Sequence, residues 1–94
     1  MATNVVNNQD TTRYEIQIDG DTAGYAEYRI DGDTIVFTHT VVDTKRREKG
    51  LGSQLVEAAV ADVKNNTNYT IVAQCPFVAH WLEENDGFED LLTR

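Results

Sequence analysis

The segment Lys45-Arg46-Arg47-Glu48-Lys49-Gly50-Leu51-Gly52-Ser53 decides how the rest of the chain is read. An apolar, β-branched run from Thr34 to Val42 precedes it, and an apolar-periodic run from Leu51 to Val63 follows. The order is strand, basic glycine-containing loop, helix. A helix N-terminus leaves backbone N–H groups unpaired and carries partial positive charge, which suits an anion. Gly50 and Gly52 omit side chains where a phosphate-bearing ligand would approach the backbone. Lys45, Arg46, Arg47 and Lys49, four of the eight basic residues, crowd the same spot. Two nucleotide-binding signatures do not fit. A Walker A loop ends in Gly-Lys-Ser/Thr, whereas Lys49 precedes Gly50. The dinucleotide fingerprint needs a third glycine where Leu55 stands.

Composition sharpens the meaning of that cluster. Sixteen acidic against eight basic residues give a net charge of −8, so most of the surface repels nucleic acid and anionic membranes. Positive charge gathered against this trend is informative, and an acidic surface favours a cationic substrate. Ninety-four residues make one small domain. Apolar content of 40% and a mean hydropathy of −0.46 fit a water-soluble globular chain with no membrane-spanning run. Residues 1–12 are polar and asparagine-rich, without the pattern of a signal peptide, so a loose N-terminal tail on a cytoplasmic protein is expected. One cysteine excludes an internal disulfide.

Working outward, Arg13 to Ile18 alternates, with Tyr14, Ile16 and Ile18 on one face, and reads as a half-buried strand. Asp19-Gly20 and Asp31-Gly32 supply hairpin turns around a second strand, Ala23 to Ile30. Neither Asp-Gly-Asp run continues as a calcium loop, because Ile30 and Val42 occupy the positions where glutamate is required. The third strand places Ile35, Phe37, His39 and Val41 on one face and Val36, Thr38, Thr40 and Val42 on the other, and is expected to be covered on both sides. The helix presents Leu51, Leu55, Ala58, Ala59 and Val63 to the sheet and ends at Asn65-Asn66. A fourth strand, Tyr69 to Cys75, completes a βαβ unit. Pro76 opens a second helix with Phe77, Val78, Trp81 and Leu82 as its core stripe, stopped by Asn85-Asp86-Gly87. Phe88, Leu91 and Leu92 pin the C-terminal segment back onto the body. The expected fold is α+β: an antiparallel three-stranded meander continuing through a βαβ unit into a mixed sheet, with helices packed on it. It forms one domain over residues 13–94.

Ligands of such sheets bind beyond the carboxyl ends of the parallel strands. His39 and Cys75 both lie near that edge. Cys75 also precedes a helix N-terminus, which lowers a thiol's pKa. A small buried hydrophobe is the competing reading for Cys75, and a hydrogen-bonded core histidine for His39. His80 belongs to an outer helix face. One cysteine and two histidines without ligand spacing argue against a metal site.

Arg47-Glu48-Lys49-Gly50-Leu51-Gly52 resembles the R/Q-x-x-G-x-G/A signature of the GNAT N-acetyltransferases. Together with His39-Thr40 and Cys75-Pro76-Phe77-Val78, it resembles a minimal single-domain GNAT-like family with HT-x-V and CP-[YF]-V segments at about this spacing. The resemblance implies an acetyl-coenzyme A-dependent N-acetyltransferase without a metal, acting on a small amine or peptide acceptor. It implies that the pantetheine arm runs near Val41 and Val42, and that the pyrophosphate sits on Arg46, Arg47, Lys49, Gly50, Leu51, Gly52 and Ser53. Cys75 would act as an acetylated intermediate or as an acid towards the leaving thiolate, and His39 as proton acceptor. The alternative is a non-catalytic coenzyme A-binding or regulatory module. Two positions depart from the relatives' pattern. Glu48 stands where they commonly carry glycine, and its side chain is expected to point outward. Val41 stands where they often carry an acid.

Overall fold

The computed structural model describes residues 3–43 and 50–93. Its five-stranded sheet has the order β1-β2-β3-β4-β5, with β1 Thr3–Asn8, β2 Arg13–Ile18, β3 Asp21–Asp31, β4 Thr34–Val42 and β5 Thr70–Ala73. The first four strands are antiparallel neighbours, and β5 joins β4 in parallel. The crossover between them carries α1, Leu51–Asn66; α2, Pro76–Glu84, follows β5, and a short 3-10 turn spans Glu89–Leu92. The α+β mixed sheet read from the sequence is therefore present. Among the described residues no helix is long and apolar enough to cross a membrane.

The expected loose tail needs correction. Thr3–Asn8 pairs with β2 in register, Val5 opposite Ile16 and Asn7 opposite Tyr14, so the meander has four strands. The β2–β3 hairpin is tight because Asp19 and Gly20 both have positive φ, 51° and 89°, matching the twist of the strands they join.

Both helices lie on one face of the sheet. Tyr14, Ile16, Ile18, Ala26, Tyr28, Ile35, Phe37 and Ile71 form a single buried cluster with Leu51, Leu55, Val56, Ala59, Val60 and Val63 of α1 and Val78 and Trp81 of α2. Burying each large aliphatic or aromatic side chain here contributes about 1.5–3 kcal/mol. The α1 stripe includes Val56 and Val60 beyond the residues expected, while Ala58 is half-buried. Phe77 and Leu92 are exposed, unlike their expected core placement, whereas Leu91 is fully buried and Phe88 packs on Trp81.

A bulge in β4 overturns the expected division of its faces. Phe37 pairs with Tyr28, but the next pair is His39 with Glu27, leaving Thr38 as an extra residue. The parity inverts past it. Thr40 pairs with buried Ala26 on the helix face, while His39 and Val41 turn to the opposite face and are exposed. On that opposite face Tyr25, Glu27, His39, Val41 and Val72 are half-buried or exposed, whereas Val36, before the bulge, is buried as expected.

Candidate active site at the divided end of the sheet

Pairing between β4 and β5 stops early. The last pair is Phe37 with Ala73, after which the N–H groups of Gln74 and Cys75 both donate to Phe37 O at 3.0 Å. The chain then turns into α2 at Pro76, which needs no hydrogen bond on its nitrogen. β4 runs on for five more residues, Thr38 to Val42, without β5 beside it. β5 is thus shorter than the expected Tyr69–Cys75. The result is a notch at the carboxyl end of the parallel pair. Its walls are the edge of β4 and the start of α2.

Cys75 sits at the base of this notch as the N-cap of α2, buried against the core. Its Sγ is 3.3 Å from Thr40 Oγ1. Burial pushes the thiol pKa up, but the Thr40 hydroxyl and the backbone N–H groups of Val78, Phe77 and Thr40 stabilise the thiolate. The net pKa lies below the ordinary thiol value. Thr40 is the partner that sequence reading missed. The bulge at Thr38 brings it to this face, and no periodicity announces a bulge.

The first turn of α1 stands at the same end. Gly50 caps it in the left-handed region, φ 83°, with no side-chain cap. Hydrogen bonding within the helix begins with Gln54 N–H to Gly50 O at 2.8 Å, so Leu51, Gly52 and Ser53 have no intrahelical acceptor for their N–H groups. No acidic side chain occupies this first turn. Gly52 has a further role: a Cβ there would come within 2.6 Å of the Phe77 ring. The two helix N-termini therefore abut, and both direct partial positive charge to one end of the sheet.

The anticipated residues separate into groups. Gly50 and Ser53 are exposed at the helix start, and Leu51 is buried beneath it. Val42 packs against the core on the helix face, and Val41 is 47% exposed on the other. His39 lies on that other face, its Nδ1 3.1 Å from Thr38 Oγ1, so β4 stands between His39 and Cys75. Arg46, Arg47, Lys49, Lys45 and Glu48 fall outside the described residues. A cavity of about 300 Å³ on the open face is lined by Arg13, Gly24, Tyr25, Val41 and Asp43, among others. It shares Val41 with the stretch of β4 that walls the notch.

The fold is that of an α+β domain with a mixed sheet, its one parallel pair among the described residues separating beside the start of α1. The chain belongs to the GCN5-related N-acetyltransferases: the family model described as GCN5-related N-acetyl-transferase matches residues 13–91. Comparison with curated protein sequences finds no match.

Proposed function

We propose that the chain transfers an acetyl group from acetyl-coenzyme A to a primary amine, with the notch between β4 and α2 as the acyl site. The observation that carries this reading is the edge of β4 beyond Phe37, beside which no strand lies among the described residues, next to an α1 whose N-cap Gly50 supplies no side-chain cap. Backbone groups of Thr38 to Val42 on that edge would hold the pantetheine amides as a missing strand would. The N–H groups of Leu51, Gly52 and Ser53, with Arg46, Arg47 and Lys49 of the preceding loop, would hold the pyrophosphate. Strand alternation aims the Val42 N–H at the same side as the Thr40 N–H that reaches Cys75, and there it would stabilise the oxyanion formed on the thioester.

The position of His39 supports direct transfer over relay through Cys75. The amine would enter from the open face through the cavity at Val41, where Asp43 favours a cationic acceptor while Arg13, 4.0 Å over the Tyr25 ring, already occupies that ring. His39 on that face would receive the amine's proton, through water if needed. Cys75 on the helix face would protonate the departing thiolate. The lowered thiol pKa favours a second reading, in which the Cys75 thiolate attacks the thioester and carries the acetyl group itself.

Free-thiol release from acetyl-coenzyme A against a panel of polyamines, amino acids and peptides tests the activity. Intact mass after incubation without acceptor separates the two routes. An added acetyl group on wild type that is absent from Cys75→Ala supports the covalent one. Tight coenzyme binding with silence across the whole panel would instead identify a non-catalytic coenzyme A-binding module.

A further inference from the structure

A second cavity, about 310 Å³, opens at the other end of the sheet. Tyr14, Tyr28 and Tyr69 wall it, with Ile35 at its floor, and Asn7, Thr12 and Thr67 contribute polar groups. Ile35 lies near the start of the strand whose far half forms the notch, and Thr40 is five residues along, roughly 16 Å away at strand rise. We infer that this cavity is a separate binding site for a small organic monocation bearing a methylated ammonium group.

The lining selects that chemistry by what it contains and what it lacks. None of its residues carries a formal charge at neutral pH, so it offers no guanidinium or ammonium to a phosphate or carboxylate. Three phenol rings border it, Tyr69 half-buried and Tyr14 and Tyr28 through the 3% and 6% of their surface left exposed, and aromatic π-electron density is the feature that recognises quaternary ammonium groups. Two of those rings are locked. Tyr14 and Tyr28 pack with centroids 5.4 Å apart, and the Tyr28 hydroxyl donates to Asn7 Oδ1 at 2.7 Å. The Tyr14 hydroxyl donates to Asp62 Oδ2 at 2.6 Å. Donation to a carboxylate makes that ring more electron-rich. The other Asp62 oxygen accepts from Asn66 Nδ2, also neutral, so these contacts leave the carboxylate's negative charge behind the ring uncancelled. A cation in the cavity would feel it across a poorly hydrated wall, on a chain of net charge −8. Gln9 and Thr12, from the exposed β1–β2 turn, stand at the mouth.

Titration of the full chain with choline, followed by calorimetry and by chemical-shift changes of the tyrosine rings, tests this. The neutral isostere 3,3-dimethylbutan-1-ol serves as the control. Choline should bind with shifts centred on Tyr14, Tyr28 and Tyr69, and the isostere about tenfold more weakly, the scale of a partly desolvated cation–π contact. Tyr69→Leu, at a half-buried ring, should abolish choline binding. Asp62→Asn, which keeps an acceptor for Tyr14, should weaken it severalfold. Saturating coenzyme A should leave choline affinity unchanged, since the two sites are at opposite ends of β4. Equal affinity for choline and isostere would reduce the cavity to an apolar hole, and absence of choline binding by the folded wild type would overturn the assignment outright. Failure of coenzyme binding alone would concern the notch and leave this site standing.

Discussion

Cys75 Sγ and Thr40 Oγ1 lie 3.3 Å apart across the gap where β5 has already left β4. This contact and the N-terminus of α2 act on the thiol in the same direction. Thr40→Val keeps the shape of the side chain and removes the hydroxyl. Alkylation by iodoacetamide, followed against pH, should show the midpoint rising towards the ordinary thiol value of about 8.5. The rate at neutral pH should drop severalfold. An unchanged profile would assign the whole effect to the helix terminus.

Gly24 and Gly52 both lack room for a methyl group, with different expected outcomes. At Gly24 a Cβ would stand 2.6 Å from the Val41 carbonyl oxygen and 3.1 Å from Val42 Cα. The obstruction is backbone held to β3 by the ladder, not a side chain that can swing aside, so β3 and β4 must separate at the start of the notch. Gly24→Ala should cost at least about 1–3 kcal/mol in urea unfolding. At Gly52 the obstructing atom is the tip of the Phe77 ring, which is 45% exposed and free to swing outward. The gain in helix propensity, at most about 1 kcal/mol, offsets that movement. Gly52→Ala should therefore stay within about 1 kcal/mol of wild type. Coenzyme A affinity should still fall, because the ring is displaced towards the helix start.

The contrast between these glycines shows what the sequence made legible. The Gly50-Leu51-Gly52 spacing announced a helix start, and α1 begins there, at Leu51. It did not reveal that Gly52 accommodates a ring from α2, because that contact depends on the placement of a second helix. The alternation of Tyr14, Ile16 and Ile18 located β2 and its buried face directly. The same rule applied to β4 sent His39 and Val41 to the wrong side, since one bulged residue inverts every face that follows it. β1 was missed for another reason. Thr-Asn-Val-Val-Asn-Asn has little alternation and low strand propensity, and its order comes from pairing with β2.

Tyr14 couples β2 to α1 through its hydrogen bond to Asp62, and that coupling should be visible at high pH. Burial first, and the carboxylate second, raise the Tyr14 pKa far above its ordinary value of about 10. A raised acid pKa means that the native state holds its proton more tightly than the unfolded chain. The associated stability is present in full below about pH 10 and is lost as pH rises past it. Wild type should lose stability steeply above about pH 10. Tyr14→Phe should be less stable at neutral pH by about 1.5–3 kcal/mol, the range for a hydrogen bond to a charged group, and should fall less steeply beyond pH 10. Parallel curves for the two proteins would place the alkaline sensitivity elsewhere.

Removal of the first eight residues tests whether β1 belongs to the folded unit. Val5 and Val6 are half-buried, and Asn7 accepts the hydroxyl proton of Tyr28, a ring only 6% exposed. Without β1 the hydroxyl must find water at the sheet edge, and β2 becomes an unprotected strand edge. Scanning calorimetry of the truncated chain should show a melting temperature lowered by roughly 5–10 °C, the shift that about 1–2 kcal/mol produces in a domain of this size. Light scattering should rise with concentration as exposed β2 edges pair. Coenzyme A affinity, measured well below the melting transition, should fall only modestly, because β3 and β2 stand between β1 and the notch while Thr3, Asn4 and Val5 border α1 only from Gln54 onward, past the first-turn amides. A melt identical to wild type would mean that the pairing of Thr3–Asn8 with β2 adds nothing to the fold.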